Sequence, residues 1–208
     1  MSEMYSRAPS FVFGFHGCDI ETKNAVLHNG KELKASNNEY DWLGSGIYFW
    51  EQNYNRALEF ATLASKYPGK YTRRPIYEPS VIGAVIDLGN CLNLMDSYHI
   101  KRIKVAYAAL KKAAPKLPQN SGSPPDWPLR KLDRAVIESL HAITDNDMDS
   151  IPYDTTRGLF LEGRSIYPGG SFKEQTHIQI CVRNINCIKG YFDPRQESQN
   201  PFDHLTQI

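Results

Sequence analysis

Trp42-Leu43-Gly44-Ser45-Gly46-Ile47-Tyr48-Phe49-Trp50 carries two glycines one residue apart and then a run of bulky strand formers. Glycine lets the main chain turn tightly, and isoleucine beside aromatic residues suits a pleated, buried surface. The stretch predicts a loop that feeds directly into a core strand. Downstream, Ala57, Leu58, Ala61, Leu63 and Ala64 recur at near-helical spacing, with Asn53 placed to cap the helix and Pro68-Gly69 to end it. Upstream, Ser10 to Phe15 is aromatic and β-branched enough for a strand, and it runs into His16-Gly17-Cys18 at its end. Between the two lie a short helix, Ile20 to Leu27, closed by the Asn29-Gly30 turn signal, and a polar loop from Lys31 to Asp41.

Further along, Val81 to Leu88 is a β-prone run broken by Gly89-Asn90, with Leu92-Asn93-Leu94 as a short extension. Asp96-Ser97 offers a helix cap, and Ile100, Ile103, Val105, Tyr107 and Leu110 carry that helix to about Ala114, before Pro115 and Pro118. Leu117 to Pro128 is rich in proline, serine and glycine and is expected to be the most mobile segment. A second helix is expected from Leu129 to Ile143, then strands at Gly158 to Gly163, Thr176 to Val182 and Cys187 to Phe192. The sum is an α+β fold over one domain, 1–208, with a helical insertion at about 97–149 in a mainly β core.

At 208 residues the chain is long enough for one well-buried core. Lys plus Arg number 24 against 23 Asp plus Glu, and a net charge of +1 gives no global reason to expect nucleic-acid or membrane binding. No apolar run reaches the length of a membrane span, and Met1 to Pro9 lacks the apolar core of a secretory signal, so a soluble, cytoplasmic protein is expected. Cys18, Cys91, Cys181 and Cys187 lack the close pairing of a zinc knuckle or redox motif and read as small buried free thiols.

The order His16-Gly17, polar loop, Gly-Ser-Gly-Ile-Tyr-Phe (44–49) and alanine-rich helix resembles the poly(ADP-ribose) polymerase-like branch of the ADP-ribosyltransferases. Neither a lone His-Gly nor a lone strand tyrosine carries this; the order of the signals does. The resemblance implies a split β-sheet core and NAD⁺ as co-substrate, bound by His16, Gly17, Gly46 and Tyr48. In it, His16 bonds a ribose hydroxyl of the adenosine side, the main chain of Gly17 pairs with the nicotinamide carboxamide, and Tyr48 stacks on the nicotinamide ring. A cationic ring on a phenol face is a favourable contact, and holding carboxamide, ring and ribose together is what such a site must do.

The late strand departs from the commonest family pattern. Lys173-Glu174-Gln175-Thr176-His177-Ile178-Gln179-Ile180-Cys181-Val182 has no central glutamate. Strand alternation turns Ile178, Ile180 and Val182 to the core and His177, Gln179 and Cys181 to the other face, so Gln179 is expected to look into the cleft. Counted back from Cys187-Ile188-Lys189-Gly190-Tyr191-Phe192, which resembles the family's last strand, Gln179 falls near the family's glutamate position. A glutamine there can hydrogen-bond the nicotinamide ribose but cannot act as a base. Glu174 is the competing candidate for that catalytic role, with a solvated charge as its plainer reading; His177 could orient the target or a phosphate, or simply sit on a polar strand face.

The function expected is mono-ADP-ribosyl transfer from NAD⁺ to a macromolecular acceptor, protein or nucleic acid, in the manner of a toxin or anti-phage effector with a possible inhibitory antitoxin partner. Two alternatives differ in kind: an NAD⁺ or ADP-ribose binding module without transfer, motivated by the absent glutamate, and an NAD⁺ glycohydrolase. Lys70-Tyr71-Thr72-Arg73-Arg74, and equally Lys101-Arg102 and Lys104, could hold a diphosphate or a nucleic-acid backbone, but a short basic run is usually solvated surface. The acidic run Asp145 to Asp149 lacks the glycine and distal glutamate of a calcium loop, and no metal site is expected.

Overall fold

The computed structural model describes residues 11–72, 74–122 and 129–195. Ser10, Arg73 and the Ser123-Pro124-Pro125 centre of the proline-rich segment lie outside the described residues. The described chain is a mixed α+β fold with one seven-stranded sheet and four helices.

Strand β1 (Phe11–Asp19) is paired antiparallel along its whole length with β3 (Pro79–Asp87), from Phe11 opposite Asp87 to Asp19 opposite Pro79. The strand therefore carries His16 and Gly17 in its interior, three residues before its end, rather than at the strand end that the sequence suggests. The remaining strands are β2 (Ile47–Glu51), β4 (Cys91–Asn93), β5 (Thr155–Phe160), β6 (His177–Val182) and β7 (Ile188–Phe192). The spatial order is β4-β5-β6-β2-β1-β3-β7, antiparallel throughout except for β4 beside β5. β5 begins three residues earlier than expected, at Thr155, because Thr155 and Thr156 pair on one side with β4 and on the other with β6. The narrowest seam is between β1 and β2, whose paired residues are Gly14 opposite Glu51 and Phe15 opposite Trp50.

Each helix starts where a side chain meets the free N–H groups of its first turn. Asp19 caps α1 (Ile20–Asn29) and Gly30, at φ 62°, closes it; Asn53 caps α2 (Tyr54–Lys66); Asp96 caps α3 (Ser97–Ala113). At α4 (Lys131–Asp145) the preceding residue Arg130 makes no side-chain cap, and Asn120 accepts instead from the N–H groups of Leu132 (2.8 Å) and Asp133 (3.3 Å). That borrowed cap starts α4 two residues later than the sequence indicates.

One sheet face carries Phe49, Ile82, Ala84, Ile86, Ile180 and Val182, closed by α1 through Val26. On the other, α2 lies over Trp50 and Val81 through Ala57, and small residues let its backbone come close. Farther along that second face, Trp42 and Leu43 cover Cys181, and α3 and α4 pack around Leu92, Ala106, Val136 and Leu140. Both faces of β6 are thus buried: His177 and Cys181 are as enclosed as Ile180, although alternation alone marked their face as polar. All four cysteines are free, with Cys18, Cys181 and Cys187 buried. No helix among the described residues is long and apolar enough to cross a membrane.

Candidate active site

His16 faces the β1–β2 seam, where its Nδ1 lies 2.8 Å from the main-chain oxygen of Tyr48. A carbonyl oxygen can only accept, so Nδ1 carries the proton and Nε2 presents a lone pair. Burial lowers the His16 pKa, and the bond to Tyr48 offsets this only in part, so the ring is neutral near pH 7. The ring therefore presents an acceptor nitrogen at the seam. The ring packs edge-on against Phe49, 5.8 Å between centroids, which puts His16 on the Phe49 face.

Tyr48 belongs to the opposite face, one residue along β2. Its hydroxyl donates to Gly44 O (2.8 Å) and accepts from Leu43 N (3.1 Å). Burial raises its pKa well above the ordinary phenol value, so it stays protonated. The phenol closes the glycine loop onto the strand, and its ring packs against the Trp42, Leu43 and Cys181 cluster. His16 and Tyr48 are thus joined side chain to main chain across the seam, not side chain to side chain.

Gln179 shares the Tyr48 face: Tyr48 stands opposite Cys181 and Trp50 opposite Gln179. Its Oε1 accepts a 2.8 Å hydrogen bond from Trp42 Nε1. Because an indole N–H can only donate, the amide orientation is fixed and Gln179 turns its two N–H donors away from Trp42. Trp42 is held in turn by Gly158, where a Cβ would stand 2.6 Å from the indole, and by the Arg130 guanidinium 5.0 Å from its ring. Arg130 also lies 4.2 Å from the centre of Phe160, which stacks on His177.

His177 donates from Nδ1 to Gln175 O (2.7 Å), and burial brings its pKa down to about 4. Its Nε2 and the Trp50 Nε1 beside it are buried without a partner among the described residues. Glu174, by contrast, is exposed in the 161–176 connection and pairs with Arg164 at 3.3 Å, away from the Tyr48–Gln179 row. The carboxylate that does approach β6 is Glu162, 2.8 Å from Arg56 Nη2 and 3.9 Å from His177 Nδ1.

The two glycines have packing reasons of their own. A Cβ on Gly17 would be driven into the main-chain oxygen of Ala57 on α2, so helix α2, not open space, fills the side of Gly17 where a side chain would project. A Cβ on Gly46 would meet Val182 O at 2.5 Å. Ser45 between the glycines is pinned by α4: Glu138 accepts from Ser45 N (2.6 Å) and Ser45 Oγ (2.7 Å).

The sequence reading overlooked Trp42, Glu138 and Glu162. Trp42 was visible in the stretch that decided the fold, two residues ahead of Gly44; the other two meet their partners from distant parts of the chain and left no local signal. Among the described residues no group of three or more His, Cys, Asp or Glu could hold a metal. A cavity of about 490 Å³ lies between Lys23, Tyr54, Ser80 and Arg195, and one of about 370 Å³ between Asn37, Tyr40 and Lys131; His16, Tyr48 and Gln179 line neither. The chain matches no family model, no curated protein and no solved structure.

Proposed function

We propose that the protein transfers ADP-ribose from NAD⁺ to a macromolecular acceptor, on a sheet of the ADP-ribosyltransferase type whose split corresponds to the β1–β2 seam. The observation that carries this reading is His16, neutral, with Nδ1 committed to Tyr48 O and Nε2 left as an acceptor at that seam. In the proposed complex Nε2 takes a ribose O–H of NAD⁺, the Tyr48 ring stacks on nicotinamide, and Gln179 donates to the nicotinamide ribose. The N-glycosidic bond breaks through an oxocarbenium-like state, nicotinamide leaves neutral, and the acceptor's nucleophile adds to the sugar carbon and gives up its proton. Gln179 cannot take that proton, so the base comes from the acceptor or from solvent.

The test is incubation with labelled NAD⁺ and separate pools of cell protein, RNA and DNA, for wild type and for His16→Ala, Tyr48→Ala and Gln179→Ala. Label in one pool, lost in the variants, is expected. Free ADP-ribose accumulating with no acceptor would mean glycohydrolysis. A second reading has one observation in its favour: Gln179 is an amide whose oxygen is already taken by Trp42, as suits a site that binds NAD⁺ or ADP-ribose without transfer. Under it, wild type binds NAD⁺ and releases no nicotinamide.

A further inference from the structure

We infer that the outer face of α3 is a docking surface for a nucleic-acid backbone. α3 contains Lys101, Arg102, Lys104, Lys111 and Lys112 and no acidic residue. It alone carries +5 against a whole-chain net of +1, which leaves −4 for the remainder, so near-neutral overall charge hides a strong local asymmetry. Positions 101, 104, 105, 108, 111 and 112 follow helical spacing and form one stripe. Its lysines are exposed, and Val105 between them is 67% exposed. The inner side of α3, with Ile103, Ala106 and Leu110, is spent on α4.

The charge on this stripe is uncompensated and extended. Lys23, Arg56, Lys131, Arg157 and Arg183 each meet a carboxylate within 2.8 Å, whereas none of the four α3 lysines makes an ion pair among the described residues. The stripe also has a direction. It runs about 16 Å from Lys101 to Lys112, at about 1.5 Å per residue. It ends beside Leu110, which shares a cluster with Leu132 at the start of α4. The residue just before α4 is Arg130, over Trp42, which holds Gln179. A line of cations along one helix face suits a polymer with regularly repeated negative charge, and Tyr98, 62% exposed on the same helix, offers a ring face for base stacking. The identification of that polymer as the acceptor rests on the transfer reading above; its binding does not.

The experiment measures fluorescence anisotropy with a mixed-sequence 20-nucleotide single-stranded RNA or DNA, without NAD⁺, at 50 and 200 mM salt. Four phosphate contacts predict that wild-type affinity falls about fiftyfold between the two, from a slope of about −0.7 per contact. K101E/K104E/K111E/K112E should bind at least tenfold more weakly at 50 mM salt, and the milder K104A/K111A/K112A should fall between it and wild type, each with an unchanged circular dichroism spectrum. K31E/K34E, which reverses exposed charge elsewhere, should bind as wild type does. The inference is overturned by absence of binding to wild type, by equal loss in K31E/K34E, by undiminished binding in the folded triple alanine variant, or by stripe-dependent binding of poly-glutamate in preference to nucleic acid, which would mark a protein partner. Binding as predicted, with no label passed from NAD⁺ to protein, RNA or DNA, would leave this surface standing and refute the proposed activity instead.

Discussion

Trp42 Nε1 donates a 2.8 Å hydrogen bond to Gln179 Oε1 across 137 positions of sequence, and this bond decides which end of the Gln179 amide a ligand can meet. Trp42→Phe removes the N–H and also the part of the indole whose Cη2 and Cζ3 pack on Gly158. The lost bond costs about 1 kcal/mol in stability and the lost buried volume roughly 1 to 3 kcal/mol more. With the amide free to flip, nicotinamide release should fall about tenfold in kcat. Urea unfolding and a release assay on the same preparation check both; a variant with wild-type kcat would show that Gln179 is not positioned by Trp42.

Gly17→Ala separates two reasons for a glycine beside His16. The added methyl runs into Ala57 O, and a backbone atom of a packed helix does not move aside cheaply. The variant should lose about 2 to 3 kcal/mol of stability whether or not NAD⁺ is present. Comparing unfolding midpoints by urea decides the matter. A stable Gly17→Ala protein that fails only to bind NAD⁺ would return the glycine to a ligand-contact role.

These two residues also show what could be read from the chain. The loop-to-strand passage at 42–50 and the alanine stripe of α2 were legible because turn chemistry and periodicity are local. The α+β class followed from their order, whereas the shared face of Tyr48 and Gln179 depends on the β2–β6 register, which no local signal carries. The burial of His177 was not legible, because it depends on Trp50 and Phe160 arriving from other segments. The same holds for α4, whose start is set by Asn120, a residue more than ten positions upstream.

Acid should destabilise the fold between pH 6.5 and 4. Burial brings both His141 and His177 from 6.5 to about 4, with Arg183 pushing His141 the same way and the Gln175 carbonyl opposing it at His177. The unfolded chain binds these protons first, so the stability they contribute is complete above about pH 6.5 and is lost as the pH falls through 4, on the order of 3 kcal/mol for each. Urea titrations at pH 7, 5.5 and 4.5 should show this decline. His177→Gln should make it shallower, and an unchanged slope in that variant would remove His177 from the account.

Glu51 and Arg157 form a bidentate pair that ties β2 to β5 across the intervening β6, with Arg157 Nη2 2.6 Å from Glu51 Oε1. Their side chains are only 9% and 18% exposed, so neither charge is well hydrated. Glu51→Ala strands a guanidinium in the sheet and should cost 3 to 5 kcal/mol, on the order expected for an uncompensated buried charge. The double variant Glu51→Met with Arg157→Met removes both charges and keeps the apolar volume, and it should unfold within about 1 kcal/mol of wild type. Because Glu51 stands opposite Gly14 at the β1–β2 seam, the single variant should also loosen the strand that carries Tyr48. Unfolding free energies of both variants, with NAD⁺ affinity measured alongside, test this. A double variant as unstable as the single one would mean that the pair stabilises the sheet by more than its charges cost to bury.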